Sequence, residues 1–416
     1  MAEHIEHFNP DKPLPIITYG LPFEDAIAKH LTTTLSCKHP YLLISGTLSR
    51  STNIVDRLTK RLSTEGAEVA GTCVGIRSHT LYEDLLPILA EMRKTKADSI
   101  VVVGGGSLVD AAKVLSFALA NGVDSHEGFD KLGGEASDHG KDGKVDIRKP
   151  SEIPYMCASS TLSAGEYSAF GGATNERTHH KQLFFDPSPD NAGHRVIVVD
   201  PRLTLTAPPS VWLSTGMRAV DHCVETVCAA EPKPEATAAA LQGIRQMIPA
   251  LLRSKKDAND LDARLQAQLG AGQSMKGVVV YGVKLGASHG IGHQLGPQGV
   301  PHAETTCVLL PAVLKYNARV NRDQQKLVLD TLWDEPVVSE ALLKQAKLDR
   351  ETADLGDALD VIIRLLDLPR TLSHYGIGRD KLDSIATLSV TDWMCKTNPV
   401  PLETPARVME ILEQCL

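Results

Sequence analysis

The sequence predicts an α/β N-terminal domain built on a parallel sheet, followed by an all-α C-terminal domain. Short apolar runs alternate with helical patterns from Pro40 to about residue 200, and this alternation is typical of parallel strands covered by helices. After Pro208 the patterns are long and helical, without strand-like runs. We therefore expect one domain at residues 1–202, a second at residues 203–416, and a ligand in the cleft between them.

The individual elements follow from local patterns. Helical patterns separate the apolar runs, and the clearest helix is predicted at Leu108–Ala120. Residues 121–150 are rich in Gly, Asp, Lys, Ser and His and predict a solvated excursion between sheet elements. The strands are predicted at Tyr41–Ser45, Ile100–Val103, Ile153–Ala158 and Val196–Val199.

Composition narrows the range of functions. The 416 residues carry a formal charge of -8 without a long run of either sign, which argues against nucleic acid and anionic membranes as partners. The eight cysteines form no CxxC pair and indicate reduced thiols. No leader pattern and no apolar window of membrane-spanning length are found. We expect a soluble, cytoplasmic protein that acts on a small molecule.

Two polar turns indicate a nucleotide site. Gly104, Gly105, Gly106 and Ser107 follow a buried strand and open a helix, so that bare backbone N–H groups can face a pyrophosphate in a Rossmann-like arrangement. The pattern is not GxGxxG, and glycines at such a turn also serve tight packing. The second turn, at residues 159–166, carries the hydroxyls of Ser160, Thr161 and Ser163; an ordinary helix cap is its alternative interpretation.

A group of histidines indicates a second site. His289 and His293 are four residues apart, hence on one face of a helix, and His302 follows a Gly/Pro turn. Arg218 and His222 have the same spacing on an earlier helical segment. Imidazoles in this arrangement suit zinc or iron, although a pair of histidines four residues apart is more often a surface feature.

Taken together, these segments resemble the iron-containing alcohol dehydrogenases, and in particular their maleylacetate reductase branch. The resemblance rests on GGGSLVDAAK, SSTLSAGE, DPRLTLTAPPSVWLSTGM, HGIGHQLG and PHAETTCVLLPAVLKYNA, and extends from about Gly20 to Ala318. It implies a dehydroquinate synthase-like fold, NADP or NAD as cofactor, and a homodimer. The cofactor-binding residues that we predict are Gly105, Gly106, Ser107, Asp110, Ser160, Thr161, Leu162 and Lys181.

The sequence departs from the family at the metal site. The resemblance places metal ligands at His222, His289 and His302, but the position of the family's aspartate is Arg218. An arginine cannot ligate a cation, and its charge opposes one. Asp221 is adjacent to His222 but points about 100° away on a helix, which makes it a poor substitute. We therefore favour no metal; if one binds, its ligands are the three histidines.

The leading hypothesis is an NAD(P)H-dependent, metal-independent reductase of a small oxo-acid or ketone. Arg218 would hold the substrate anion, and His293 or His289 would supply a proton. A structural ion pair of Arg218 with Asp221 or Glu225 is the alternative role. The alternative functions are a metal-dependent (Fe/Zn) alcohol dehydrogenase and a family member repurposed as a lyase, isomerase or cyclase. The catalytic candidates are His293, His289, Arg218, His222 and His302.

Overall fold

The computed structural model describes residues 2–77, 79–134, 148–187 and 194–416, without the side chains of residues 194 and 195. Ser78 and residues 135–147 of the predicted excursion lie outside the described residues. The chain divides into two compact units, Met1–Thr206 and Ala207–Leu416. No helix in the described ranges is long and apolar enough to cross a membrane. All eight cysteines are free thiols.

The first unit is built on a seven-stranded sheet in the order β1-β2-β9-β6-β5-β3-β4, together with the separate antiparallel hairpin β7-β8. All neighbours in the large sheet are parallel except β1 and β2. The predicted α/β class with a parallel sheet is therefore confirmed. The strands are β1 His4–His7, β2 Ile16–Tyr19, β3 Pro40–Ile44, β4 Gly71–Val74, β5 Ser99–Gly104, β6 Tyr155–Ser159, β7 Phe170–Asn175, β8 His180–Phe185 and β9 His194–Val199.

Helices cover both faces of this sheet. One apolar cluster joins alternate residues of β3 and β5 to α4 and α5, and a second joins the intervening residues to α1 and α3. Both faces are buried, which explains why residues 100–103 of β5 are all apolar. The helices of the first unit are α1 Phe23–Thr33, α2 Gly46–Ser51, α3 Ile54–Thr64, α4 Tyr82–Thr95, α5 Gly106–Ala120, α6 His126–Leu132 and α7 Pro201–Thr204.

The strand order indicates where a ligand of this sheet would bind. From β3 the chain moves outward to β4 and then returns to place β5 on the opposite side of β3. The order therefore reverses between β3 and β5, and ligands of open α/β sheets bind at the carboxyl ends of the strands beside such a reversal. The glycine turn follows β5 at this point.

The sequence prediction was wrong for part of the polar segment. The expected excursion contains helix α6, whose residues His126, Phe129 and Leu132 are buried. The ring of Phe129 stacks on Tyr82 at a centroid distance of 4.6 Å. The segment has few apolar residues, so its sequence did not show a helix. Three buried residues spaced three apart are enough to pack this helix against the rest of the unit.

The second unit contains only helices, as predicted. A long apolar cluster connects α11, α12, α15 and α17. The helices are α8 Pro209–Val227, α9 Pro234–Lys256, α10 Leu261–Val279, α11 Ala287–Leu295, α12 Thr305–Asp334, α13 Pro336–Glu340, α14 Leu355–Leu365, α15 Arg379–Ser389, α16 Trp393–Lys396 and α17 Pro405–Leu412.

Candidate active site

The glycine turn connects the carboxyl end of β5 to the start of α5. Gly104 closes the strand and α5 begins at Gly106. A Cβ at Gly104 would lie 2.4 Å from Leu108 Cδ1, whereas the nearest described neighbour of a Cβ at Gly106 is Ser163, at 3.6 Å. Gly104 is thus required for packing, while Gly106 leaves space open beside the N-terminus of a 15-residue helix. That combination suits an anion.

The second polar turn lies against the first. The Ser160 amide donates to the Gly104 carbonyl at 2.9 Å, and Thr161 Cγ2 lies 3.4 Å from where a Cβ of Gly105 would be. The hydroxyls of Thr161 and Ser163 are 3.2 Å apart. The helix-cap interpretation fails, because only the 3₁₀ turn Gly165–Tyr167 follows and it has no side-chain cap. Two sequence-predicted turns therefore form one polar edge.

The remaining cofactor candidates lie around α5. Asp110 is in its first turns and Leu162 is buried in the second polar turn. Lys181 lies on β8, where its Cε is 2.5 Å from the position of a Cβ on Gly172. The sequence prediction missed Lys113, whose buried ammonium donates to the carbonyls of Gly165 and Phe170 and to Ser168 Oγ. These hydrogen bonds connect α5 to the segment at the end of the second polar turn. Burial lowers the pKa of Lys113.

The second unit contains a buried charged cluster, defined as Arg218, Asp221 and Glu225 on α8 with His289 on α11. Arg218 is 3% exposed. Its Nη1 donates to Thr306 Oγ1 at 3.0 Å and to Thr305 Oγ1 at 3.4 Å, and lies 3.6 Å from Asp221 Oδ2. The ion pair with Asp221 that the sequence left open is therefore present.

The carboxylates of the charged cluster are almost fully occupied. Asp221 Oδ2 accepts from Ser288 Oγ at 2.8 Å and Thr306 Oγ1 at 2.7 Å, and lies 3.4 Å from His289 Nδ1. Asp221 was predicted to point about 100° away from His222; it nevertheless belongs to the cluster, because its spacing of three residues places it on the face of Arg218. Glu225 accepts from His289 Nδ1 at 2.7 Å and from the backbone amides of Gly286 and Ser288.

The four predicted histidines form two pairs. The rings of His222 and His289 stack with centroids 4.8 Å apart, and both are buried. The rings of His293 and His302 stack at 6.2 Å on the more exposed side, where the His293 side chain is 37% exposed. His293 Nδ1 is hydrogen-bonded to Asp392 Oδ2 at 2.9 Å, a partner that sequence spacing alone gave no means of finding.

Burial controls the electrostatics of the charged cluster. Desolvation raises the pKa values of Asp221 and Glu225, and it lowers that of Arg218 although the two carboxylates oppose this change. Desolvation, reinforced by the charge of Arg218, holds the pKa values of His222 and His289 well below the ordinary histidine value. Both imidazoles are therefore neutral at pH 7, and each keeps one ring nitrogen as an acceptor.

Three nitrogens of this neighbourhood lack partners. Among the residues that the structure describes, Arg218 Nε, His222 Nδ1 and His289 Nε2 are buried without a hydrogen bond. A buried polar atom without a partner costs about 1–3 kcal/mol, so three of them together indicate that a ligand completes the site.

The cluster does not fit the iron that the resemblance implies. The fourth ligand position is a guanidinium, and His302 pairs with His293 rather than with the stacked rings of His222 and His289. Asp221, Glu225 and His289 place ligand atoms within 4.8 Å of one another, but three of the four carboxylate oxygens already accept hydrogen bonds. Their positive neighbour also opposes a cation.

Comparisons with known proteins agree with this architecture. Residues 23–201 match the family model for iron-containing alcohol dehydrogenases, and residues 212–416 match the C-terminal model of the same family. Dehydrogenase ALT3 of Alternaria alternata is 37% identical over 390 residues, which cover 89% of this chain and 97% of that protein. Dehydrogenase FUM7 of Gibberella moniliformis is 34% identical over 425 residues, which cover 96% and 95%.

The fold is also found among solved structures. A maleylacetate reductase from a Rhizobium species superposes with a TM-score of 0.71 at 24% identity, covering 96% of this chain and 95% of that one. At this identity the similarity shows the fold alone.

Proposed function

The chain belongs to the iron-containing alcohol dehydrogenase family and is an NAD(P)-dependent oxidoreductase, and we propose that it is a metal-independent reductase of a small oxo-acid. One observation carries the proposal: a buried guanidinium, Arg218, stands where the family has a metal-ligating aspartate. A fixed positive charge there provides the electrostatic function of a metal ion without a metal.

The substrate class follows from the chemistry of arginine. Arg218 Nε is buried without a partner among the described residues, and an N–H of a guanidinium is satisfied best by a carboxylate. Maleylacetate and related oxo-acids carry carboxylates beside a reducible carbonyl or enone.

We assign proton transfer to His293. Its side chain reaches solvent and Asp392 orients it through Nδ1, leaving Nε2 to face a substrate oxygen. His289 has its Nδ1 on Glu225 and stays neutral, so it serves as an acceptor that positions substrate rather than as the donor. If hydride adds to a carbonyl carbon, His293 would protonate the alkoxide to a hydroxyl; if it adds to an enone carbon, His293 would protonate the resulting enolate and the ketone is retained. In either case His293 regains a proton from water.

We assign the cofactor to the glycine turn. The open backbone at Gly105, Gly106 and Ser107 would bind the pyrophosphate, flanked by the hydroxyls of Ser160 and Thr161. Asp110, Leu162 and Lys181 complete the proposed set. When bound, NADPH or NADH supplies the hydride. The homodimer and the cytoplasmic location that the sequence favours belong to the same proposal.

The test is the loss of nicotinamide absorbance when maleylacetate is added to chelator-treated protein with NADPH or NADH. We expect rapid oxidation that iron and zinc do not increase. The matched measurement uses protein that was never exposed to chelator, and metal analysis of both samples accompanies the kinetics.

The outcomes separate the alternatives. Turnover that appears only after iron or zinc is restored contradicts metal independence and favours the metal-dependent dehydrogenase. Turnover with simple alcohols but not with the oxo-acid contradicts the substrate class. In either case, direct titration of the protein with NADPH tests the cofactor site separately.

A further inference from the structure

We propose that Asp221 is a positioning residue that, through Thr306, anchors one edge of the Arg218 guanidinium and leaves the opposite edge free for a substrate carboxylate. This inference rests on the proposed function, because it concerns the same site. It adds a role for two residues that the family resemblance does not assign. Asp221 directly precedes His222, which stands at a metal-ligand position of the family, and in this chain it is the counter-ion of Arg218.

The anchoring runs through a hydroxyl. At 3.6 Å, Arg218 Nη1 and Asp221 Oδ2 form an ion pair that is too long for a good hydrogen bond. Thr306 closes the gap: its Oγ1 accepts from Nη1 at 3.0 Å and donates to Oδ2 at 2.7 Å. Ser288 Oγ donates to the same Oδ2 at 2.8 Å and fixes the carboxylate. The guanidinium is thereby held from one side.

The other edge of the guanidinium is available. Among the described residues, the hydrogen bonds of Arg218 to Thr305 and Thr306 and its ion pair with Asp221 all involve Nη1, while Nε is buried and unpartnered. Glu225 does not compete for Nε, because its oxygens accept from His289 and from two backbone amides. A carboxylate is the group that satisfies a buried guanidinium edge with short, charge-assisted hydrogen bonds.

Asp221 is also needed electrostatically. Its side chain is fully buried beside Arg218, and a buried charge without a counter-ion is strongly disfavoured. The pair therefore keeps the guanidinium charged and fixed before substrate arrives. A site organised in advance loses less entropy on binding, which favours small anionic substrates.

The test compares two adjacent buried threonines, both of which contact Arg218 Nη1, although only Thr306 also contacts Asp221. We expect Thr306→Val to raise KM for maleylacetate roughly 10-fold to 100-fold, the usual effect of a hydrogen bond to a charged group. Thr305→Val, with its longer contact, should raise KM at most about threefold. Thr306→Ser retains the hydroxyl and should restore most of the affinity.

Asp221→Asn adds a charge-specific variant. It keeps the size of the side chain and should raise KM for the oxo-acid while leaving KM for an uncharged ketone unchanged. Equal effects on charged and uncharged substrates would indicate a purely structural role and overturn the inference. The affinity for NADPH, followed by its fluorescence, verifies that each variant is folded.

Succinate binding makes the result independent of turnover. This dicarboxylate is not reducible, and calorimetry should show that it binds the wild-type protein, binds Thr306→Ser, and binds Thr306→Val and Asp221→Asn more weakly by the same factor as KM. If succinate binds and depends on these residues while maleylacetate is not reduced, the inference stands and the proposed activity fails. If the oxo-acid is reduced but neither succinate binding nor KM responds to Thr306→Val, the inference fails alone.

Discussion

The two candidate sites of this protein differ in what lines them, which is mainly backbone at one site and buried polar side chains at the other. At the end of β5, glycines remove side chains and the backbone itself faces the site, with hydroxyls of a second turn beside it. On α8 and α11, the site consists of buried polar side chains that contact one another: Arg218, Asp221, Glu225 and the neutral His289. The first site depends on glycines, which local sequence shows. The second depends on contacts between side chains of different helices, which local sequence does not show.

The largest effect is expected from breaking the charged cluster. Arg218→Ala leaves Asp221 buried without its counter-ion and removes the group proposed to hold the substrate. We expect kcat/KM for maleylacetate to fall by roughly 30-fold to several thousand-fold, since truncating one partner of a buried, hydrogen-bonded charge pair costs about 2–5 kcal/mol of binding free energy. Steady-state kinetics measures this, with the affinity for NADPH unchanged.

Arg253→Ala is the control for Arg218→Ala. Arg253 is an arginine of the same unit that pairs with Asp260 and Asp262 at a side-chain exposure of 40%. Its removal should leave kcat/KM within about twofold, because exposed ion pairs contribute little. Similar losses in both variants would contradict a specific role for Arg218.

A second substitution at residue 218 should convert the proposed anion site into a metal site. Arg218→Asp places the family's carboxylate at the position where this chain has a cation, beside His222 and His289. We expect this variant to be less stable than the wild type without metal and to gain several degrees in Tm with excess zinc, as binding to the folded state requires. Calorimetric unfolding with and without zinc measures it.

The wild-type protein provides the matched reference for that experiment. Its Tm should not respond to zinc, and cobalt should produce visible absorption bands only in Arg218→Asp. A zinc-dependent rise in the Tm of the wild type would contradict the interpretation that the guanidinium excludes a cation.

The backbone site can be tested with two neighbouring glycines. Gly106→Ala has room, because its Cβ would lie 3.6 Å from Ser163, so the fold should be unaffected while NADPH affinity falls roughly tenfold or more, about 1.4 kcal/mol. Gly104→Ala places a Cβ 2.4 Å from Leu108 Cδ1 and should destabilise the protein by about 1–3 kcal/mol. Cofactor titration and thermal unfolding separate the two effects. Equal losses of stability in both variants would remove the distinction.

The smallest expected effect is on stability, and it compares the fully buried carboxylates of the charged cluster with Glu3, which is partly buried in the first unit. Burial alone would raise the pKa of Glu3, but hydrogen bonds from Lys29, His30 and Thr18 outweigh it and lower the pKa to about 2. A lowered pKa in the folded state stabilises the protein above the unfolded value of 4.5, and that contribution is lost as the pH falls toward 2. This direction is opposite to that of Asp221 and Glu225, whose pKa values are raised.

Glu3→Gln therefore should lower stability by about 1 kcal/mol at pH 7, after allowance for solvent screening, and by much less near pH 2. Denaturant unfolding at the two pH values measures the difference. A destabilisation that is independent of pH would mean that shape, rather than charge, determines the contribution of Glu3.

The same contrast explains what the sequence could predict. The fold class, the four expected strands and the glycine turn depend on local patterns, and each was confirmed near its expected bounds. Contacts between distant segments left no local pattern. The Asp392 partner of His293 lies 99 residues away, and the Thr306 link between Arg218 and Asp221 lies on another helix.

Errors of prediction had the same origin. Helical spacing gave the direction of Asp221 relative to His222 only, and it could not show that Ser288 of α11 and Thr306 of α12 approach Asp221 from outside α8. Helix α6 was missed because its buried face is three residues long in a polar segment. In both cases tertiary packing decided what the local pattern left open.

The ion pair between Arg218 and Asp221 also constrains the history of this gene. Either substitution made alone leaves one buried charge unpaired, so a lineage that exchanges an aspartate for an arginine at residue 218 gains by acquiring an acidic residue one turn later. The two codons are then epistatic: the fitness of each allele depends on the other. Among descendants of such a lineage, residues 218 and 221 should be inherited and lost together.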